Sequence, residues 1–153
     1  MIMLNNGERS PRERSVIQRA FQEESVLHAS MATELPSDQP DETILDTLLE
    51  EHAAVLFAAT IGAGKRLVLE DPSGASEEAL RYRTMADDTE AQIPPRLRAL
   101  WRRHYVEGLP LAACTAATGV DLASTEKDYC ELARMLRTIA YAPRPARALE
   151  VAP

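Results

Sequence analysis

Apolar residues recur at intervals of three and four along most of the chain, the spacing that lines one face of an α-helix. In the first stretch Val16, Ile17, Ala20, Phe21, Leu27, Met31 and Leu35 follow this rule with Arg and Glu between them, bracketed by Pro11 and Pro36. They predict an amphipathic helix over 13–35, with Ser37-Asp38-Gln39-Pro40 as the turn behind it. A second helix is expected over 41–60. Acidic residues near Asp41 suit the positive end of its dipole, Ile44, Leu45, Leu48, Leu49, Val55 and Leu56 form its apolar face, and the run Ala53 to Ala59 is apolar enough to be buried on most sides. Gly62 and Gly64 interrupt the pattern and predict the helix terminus, with Lys65 capping its carbonyl end, and 66–69 read as helix or coil. Asp71-Pro72-Ser73-Gly74 is a turn, and Ser76 followed by Glu77 and Glu78 caps a third helix over 76–86. A polar linker over 87–92 leads to Pro94-Pro95.

Three further helical segments follow the prolines in quick succession. Leu97, Leu100, Trp101 and Tyr105 share one side of the first, which Glu107-Gly108 stops. Pro110 suits the first turn of a short helix ending at Thr118-Gly119, and Asp121 caps a longer one in which Thr125, Tyr129, Leu132 and Leu136 fall on one face. The expected fold is all-α: an acidic helical part over 1–93, a helix-turn-helix over 94–142, and a proline-rich tail over 143–153.

Charge sharpens this division. The chain has 153 residues and a formal net charge of −7, but residues 1–93 hold 18 acidic and 8 basic side chains (net −10) and residues 94–153 hold 6 and 9 (net +3). The halves are expected to meet different partners, and the positive half is the one suited to phosphate. With 45% apolar residues the chain can fill a core, and two cysteines are too few for a disulfide scaffold or a four-ligand zinc site. No apolar run approaches the roughly 20 residues that span a bilayer, and the opening MIMLNNGERSPRER lacks the order of a signal peptide, so a cytoplasmic setting is expected.

Motifs for chemistry are sparse. Around Gly62-Ala63-Gly64-Lys65, Ala59 and Arg66 stand where a phosphate-binding loop needs a glycine and a hydroxyl. His28, His52 and His104 lie far apart, without a partner at metal-ligand spacing, and read as surface or half-buried helix residues. Glu50 and Glu51 diverge around a helix, as on a solvated acidic face, and Cys114 and Cys130 read as small buried hydrophobes. A non-enzymatic protein is expected, with no cofactor and no metal.

The strongest signal lies between Pro94 and Arg137. A helix ending in Glu-Gly, a short helix, a glycine turn and a longer helix are the parts of a helix-turn-helix, in which the short helix braces the second against DNA. The stretch PPRLRALWRRHYVEGLPLAACTAATGVDLAS resembles region four of bacterial sigma factors in Leu97, Leu100, Tyr105-Val106-Glu107-Gly108-Leu109, Leu111, Ala112 and Gly119-Val120, and extends ungapped to Arg137 over 44 residues. The resemblance implies a last helix that enters the major groove beside RNA polymerase. By position, Ser124, Glu126, Lys127 and Asp128 then face DNA, with Arg102, Arg103, Arg134 and Arg137 available for phosphates. Ala113, Cys114 and Thr118 depart from the family pattern, and Glu126, Asp128 and Glu131 make the reading helix more acidic than usual. Nothing in residues 1–93 resembles the promoter-melting region of a complete sigma factor. The function expected is a small transcriptional regulator that binds duplex DNA. The alternative is a protein-interaction module, such as a sigma mimic, an anti-sigma-like protein or a phage or accessory factor, that contacts RNA polymerase or a sigma factor through acidic residues including Glu50 and Glu51.

Overall fold

The computed structural model describes residues 10–32 and 42–142, and among them all regular structure is helical. Helix α1 spans Pro11–Ala32 and α2 spans Glu42–Glu70; a 3-10 turn, Pro72–Gly74, leads to α3, Glu77–Ala91. Helix α4, Pro95–Leu100, continues without a break as one wide π-helical turn, Trp101–Val106, before α5, Leu111–Thr118, and α6, Leu122–Tyr141. The ends expected near Leu35 and Asp41, the turn at 37–40 and the tail from Pro143 lie outside the described residues. No described helix is long and apolar enough to cross a membrane.

Local chemistry starts and stops these helices where side chains supply missing partners. The Ser76 hydroxyl accepts from the Ala79 amide at 3.1 Å, and Asp121 accepts from the Ser124 amide at 2.7 Å, each satisfying a first-turn donor. The buried carboxylate of Glu13 in turn accepts from the Ser76 hydroxyl at 2.8 Å and from its amide at 3.3 Å, joining the start of α3 to α1. Gly108 and Gly119 have φ of +76° and +74°, left-handed positions that favour glycine, and they terminate the π turn and α5.

Three expectations are corrected. Helix α2 does not end at Gly62 but runs to Glu70, and α3 extends through most of the expected linker to Ala91. The glycines serve packing instead: a Cβ on Gly62 would collide with the Tyr105 carbonyl, and one on Gly64 with the Tyr82 side chain. Glycine lets the π turn and α3 approach the middle of α2, and this closeness offsets the helix propensity it forfeits, about 1 kcal/mol per residue. Lys65 does not cap a helix end; it pairs with Asp87 of α3 at 2.6 Å.

Helix α2 is the central element, packed against α1, α3, α6 and the π turn. One buried cluster takes Val55, Ala58 and Ile61 from α2 together with Leu97, Trp101, Tyr129 and Leu132 from the C-terminal helices, so the core crosses residue 93. Each buried aliphatic side chain contributes about 1.5–3 kcal/mol, whereas an exposed ion pair such as Arg12–Glu70 contributes about 0–1 kcal/mol. Apolar packing on α2 therefore decides the arrangement.

Candidate functional site

The C-terminal helices meet around the Gly119 turn. Thr118 closes this turn with its hydroxyl: it donates to the Cys114 carbonyl at 3.1 Å and accepts from the Val120 amide at 3.4 Å. A Thr115–Thr125 hydroxyl bond of 2.8 Å ties α5 to α6. Helix α6 buries Thr125, Tyr129, Leu132, Ala133 and Leu136. The opposite face carries Lys127 and Arg134, both exposed and seven residues, or two turns, apart. Glu126, Asp128 and Glu131 sit on the flanks, half-buried, and Glu131 pairs with Arg96. The outward line of α6 is thus basic, although its sequence reads as acidic.

The other sequence-selected residues fall into different environments. Arg102 is bound to Glu90 at 2.8 Å and Arg137 to Glu50 at 2.9 Å, so both guanidiniums already have carboxylate partners. Arg103 and Ser124 are half-buried. Glu50 and Glu51 do not form a common solvated face: Glu50 holds Arg137, and Glu51, with its side chain 14% exposed, holds His28 at 3.1 Å. Cys114 is buried and Cys130 half-buried, and neither is in a disulfide; burial raises the pKa of the Cys114 thiol.

The sequence reading missed two polar networks beneath this surface. In the first, Glu24 of α1 is 4% exposed and receives hydrogen bonds from the Tyr105 hydroxyl at 2.8 Å, the Tyr129 hydroxyl at 2.6 Å and His104 Nε2 at 2.7 Å. His104 Nδ1 faces the Leu109 carbonyl at 2.8 Å. Both ring nitrogens thus meet acceptors, the arrangement an imidazolium satisfies in full. Burial opposes the charge on His104, but the Glu24 carboxylate and the Leu109 carbonyl outweigh it and raise the pKa. Burial, then the Glu24 charge, pushes both tyrosines well above their ordinary value, so they remain donors. His104 and Tyr105 are consecutive residues of the π turn, and both side chains reach the same carboxylate.

In the second network His28 and His52, expected as separate helix residues, face each other with Nδ1 atoms 2.8 Å apart. His28 Nε2 lies 3.1 Å from Glu51, and His52 Nε2 lies 3.3 Å from the Ser25 hydroxyl. Every atom is satisfied if Ser25 donates to His52, His52 Nδ1 to His28, and His28 Nε2 to Glu51, with both imidazoles neutral. Burial, then the neighbouring His28, lowers the pKa of His52, in keeping with this neutral chain. The order resembles a nucleophile, base and orienting acid, but Ser25 lies mid-helix, where backbone N–H groups are consumed by the helix and offer no oxyanion donors. Its effect is to fasten α1 to α2. Among the described residues no group of three His, Cys, Asp or Glu side chains is disposed to hold a metal ion.

These networks had no spacing signal, because their side-chain hydrogen bonds join residues 23 to 105 positions apart. Comparison with known proteins adds nothing to the geometry: no family model matches the chain, and no curated protein or solved structure matches it.

Proposed function

We propose that α4 to α6 form the DNA-binding helix-turn-helix of a small transcriptional regulator acting beside RNA polymerase, with α6 as the reading helix. One observation carries this reading: the outward line of α6 presents Lys127 and Arg134, while its carboxylates lie on the flanks. The left-handed Gly119 turn and the sigma-like residues around it agree with such a role. Lys127 and Arg134 are the phosphate-facing cations in this reading. Arg102 and Arg137 are discounted, because each would first have to leave a carboxylate.

The test is a salt titration of binding to a duplex DNA pool. Affinity is expected to fall steeply from about 50 to about 200 mM salt, and Lys127→Ala with Arg134→Ala to reduce the log–log slope by roughly two, about one per lost phosphate contact. Arg102→Ala with Arg137→Ala is expected to leave that slope nearly unchanged. Absence of salt-dependent binding, or a slope insensitive to the first pair, defeats the proposal.

A second reading, docking on a protein surface such as RNA polymerase or a sigma factor, is favoured by one feature. Val120 and Leu122, beside the turn, are 42% and 44% exposed. In that case Val120→Lys abolishes polymerase pull-down, while the Lys127 and Arg134 substitutions leave it intact.

A further inference from the structure

A cavity of about 600 Å³ opens between α1, α2 and the loop from Glu107 to Leu111, within the size range of small-molecule sites. One wall is apolar, with Val16, Ala20, Leu27, Ala59 and Leu111. Of the arginines that line it, Arg12 is bound to Glu70 at 2.8 Å and Arg19 reaches Glu23 at 3.7 Å. Arg66 differs. Among the described residues it has no carboxylate in ion-pair contact, and its hydrogen bond is a long one, 3.4 Å, to the Val106 carbonyl.

The left-handed Gly108 lies against the Arg66 guanidinium, where a Cβ would collide with Nη1, so the glycine leaves room for this end of the side chain at the cavity. Burial lowers the pKa of this group, and the nearby Glu70 and Glu23 charges offset that only in part. A planar carboxylate fits the two-pronged donor geometry of arginine. The acidic lining favours low ligand charge: Glu70 and Glu23 are paired with Arg12 and Arg19, Glu24 is occupied by its own three donors, and Glu107 repels each negative charge a ligand brings, so one carboxylate on Arg66 is opposed less than two.

We propose that this cavity binds a small organic monocarboxylate, with Arg66 clasping the carboxylate and the apolar wall of α1 and α2 taking the hydrocarbon body. Leu109, Pro110 and Leu111 form part of the same lining and lead into α5, so an occupant contacts the brace of the helix-turn-helix. The site itself is independent of DNA binding; only what the ligand regulates rests on the function proposed above.

Trp101, the one tryptophan of the chain, packs 5.2 Å from Tyr105, which lines the cavity, and its fluorescence is a built-in reporter. The full-length protein is titrated with octanoate and benzoate, with octanamide and benzamide as uncharged matches, and with inorganic phosphate. Saturable binding of at least one carboxylate is expected, with its amide and phosphate inactive. Arg66→Gln should weaken binding about tenfold or more, the effect of losing a charge-assisted hydrogen-bond pair. Ala20→Phe, which adds bulk to the apolar wall, should also abolish binding while circular dichroism stays native, and it keeps the test decisive if Arg66→Gln does not fold. Bound carboxylate should slow amide exchange in residues 107–118. Failure of both carboxylates, equal binding of an amide or of phosphate, or unchanged affinity in either folded variant overturns the site. Unchanged exchange in 107–118 with binding intact overturns only the link to α5, and loss of the DNA-binding reading alters none of these readouts.

Discussion

Glu24 shows how much one side chain can determine. A carboxylate taken from water is stable in the core only if its oxygens are paired, and here two phenols and an imidazole do so from the π turn and α6. Removing the acceptor leaves three buried donors stranded, one of them charged. Glu24→Ala is therefore expected to lose about 3–5 kcal/mol in urea unfolding, and Tyr129→Phe, which removes one bond to a charged group, about 1.5–3 kcal/mol. Equal, near-zero effects would mean the network is not closed. The histidines give this residue scale a pH dependence. His104 is raised above the unfolded value of about 6.5, so its contribution is complete below that pH and is lost as pH rises through its folded pKa. His52 is lowered, so its contribution is complete above about pH 6.5 and is lost as pH falls through its folded pKa. Together they place a stability maximum near neutral pH. His104→Asn should flatten the alkaline limb of the urea midpoint against pH while leaving the acid limb, and an unaltered alkaline limb would contradict the charge assignment.

At the scale of elements, the sequence was legible where local chemistry decides. The Ser76 and Asp121 caps, the Gly108 and Gly119 stops and the buried face of α6 follow from rules that operate within a turn or two. Gly62 and Gly64 mislead for the opposite reason: their meaning comes from Tyr105 and Tyr82, distant in sequence, pressing on α2. The same blindness to distance hid both histidine networks, and it made α6 look acidic when its carboxylates had turned aside. A pair of substitutions separates the two kinds of glycine. Gly64→Ala should improve helix propensity by about 1 kcal/mol yet destabilise the protein, because overpacking against the Tyr82 side chain costs about 1–3 kcal/mol or more. At Gly119 a Cβ meets nothing within 4 Å, so Gly119→Ala loses only the left-handed penalty of about 1–2 kcal/mol. Thermal unfolding of the two variants measures both losses.

For the whole molecule, the charge boundary at residue 93 and the packing boundary are different things. The acidic and basic parts of the sequence differ in what they show to solvent, but α2 carries the buried surface against which α6 and the π turn settle. Glu24, Glu50 and Glu51 lie before the boundary; Glu24 and Glu50 are held by residues after it, at separations of 80 to 105 residues. Such contacts reward neither half unless both are in place, so the described helices should unfold as one cooperative unit. Trp101 sits in the shared core and reports the C-terminal helices, whereas far-ultraviolet circular dichroism is weighted toward the long helices α1 and α2. The urea transitions followed by the two signals are expected to coincide in midpoint and slope. Separated midpoints would show that α4 to α6 can part from α2 while α2 stays folded, and would give the C-terminal helices an independence that their buried contacts argue against.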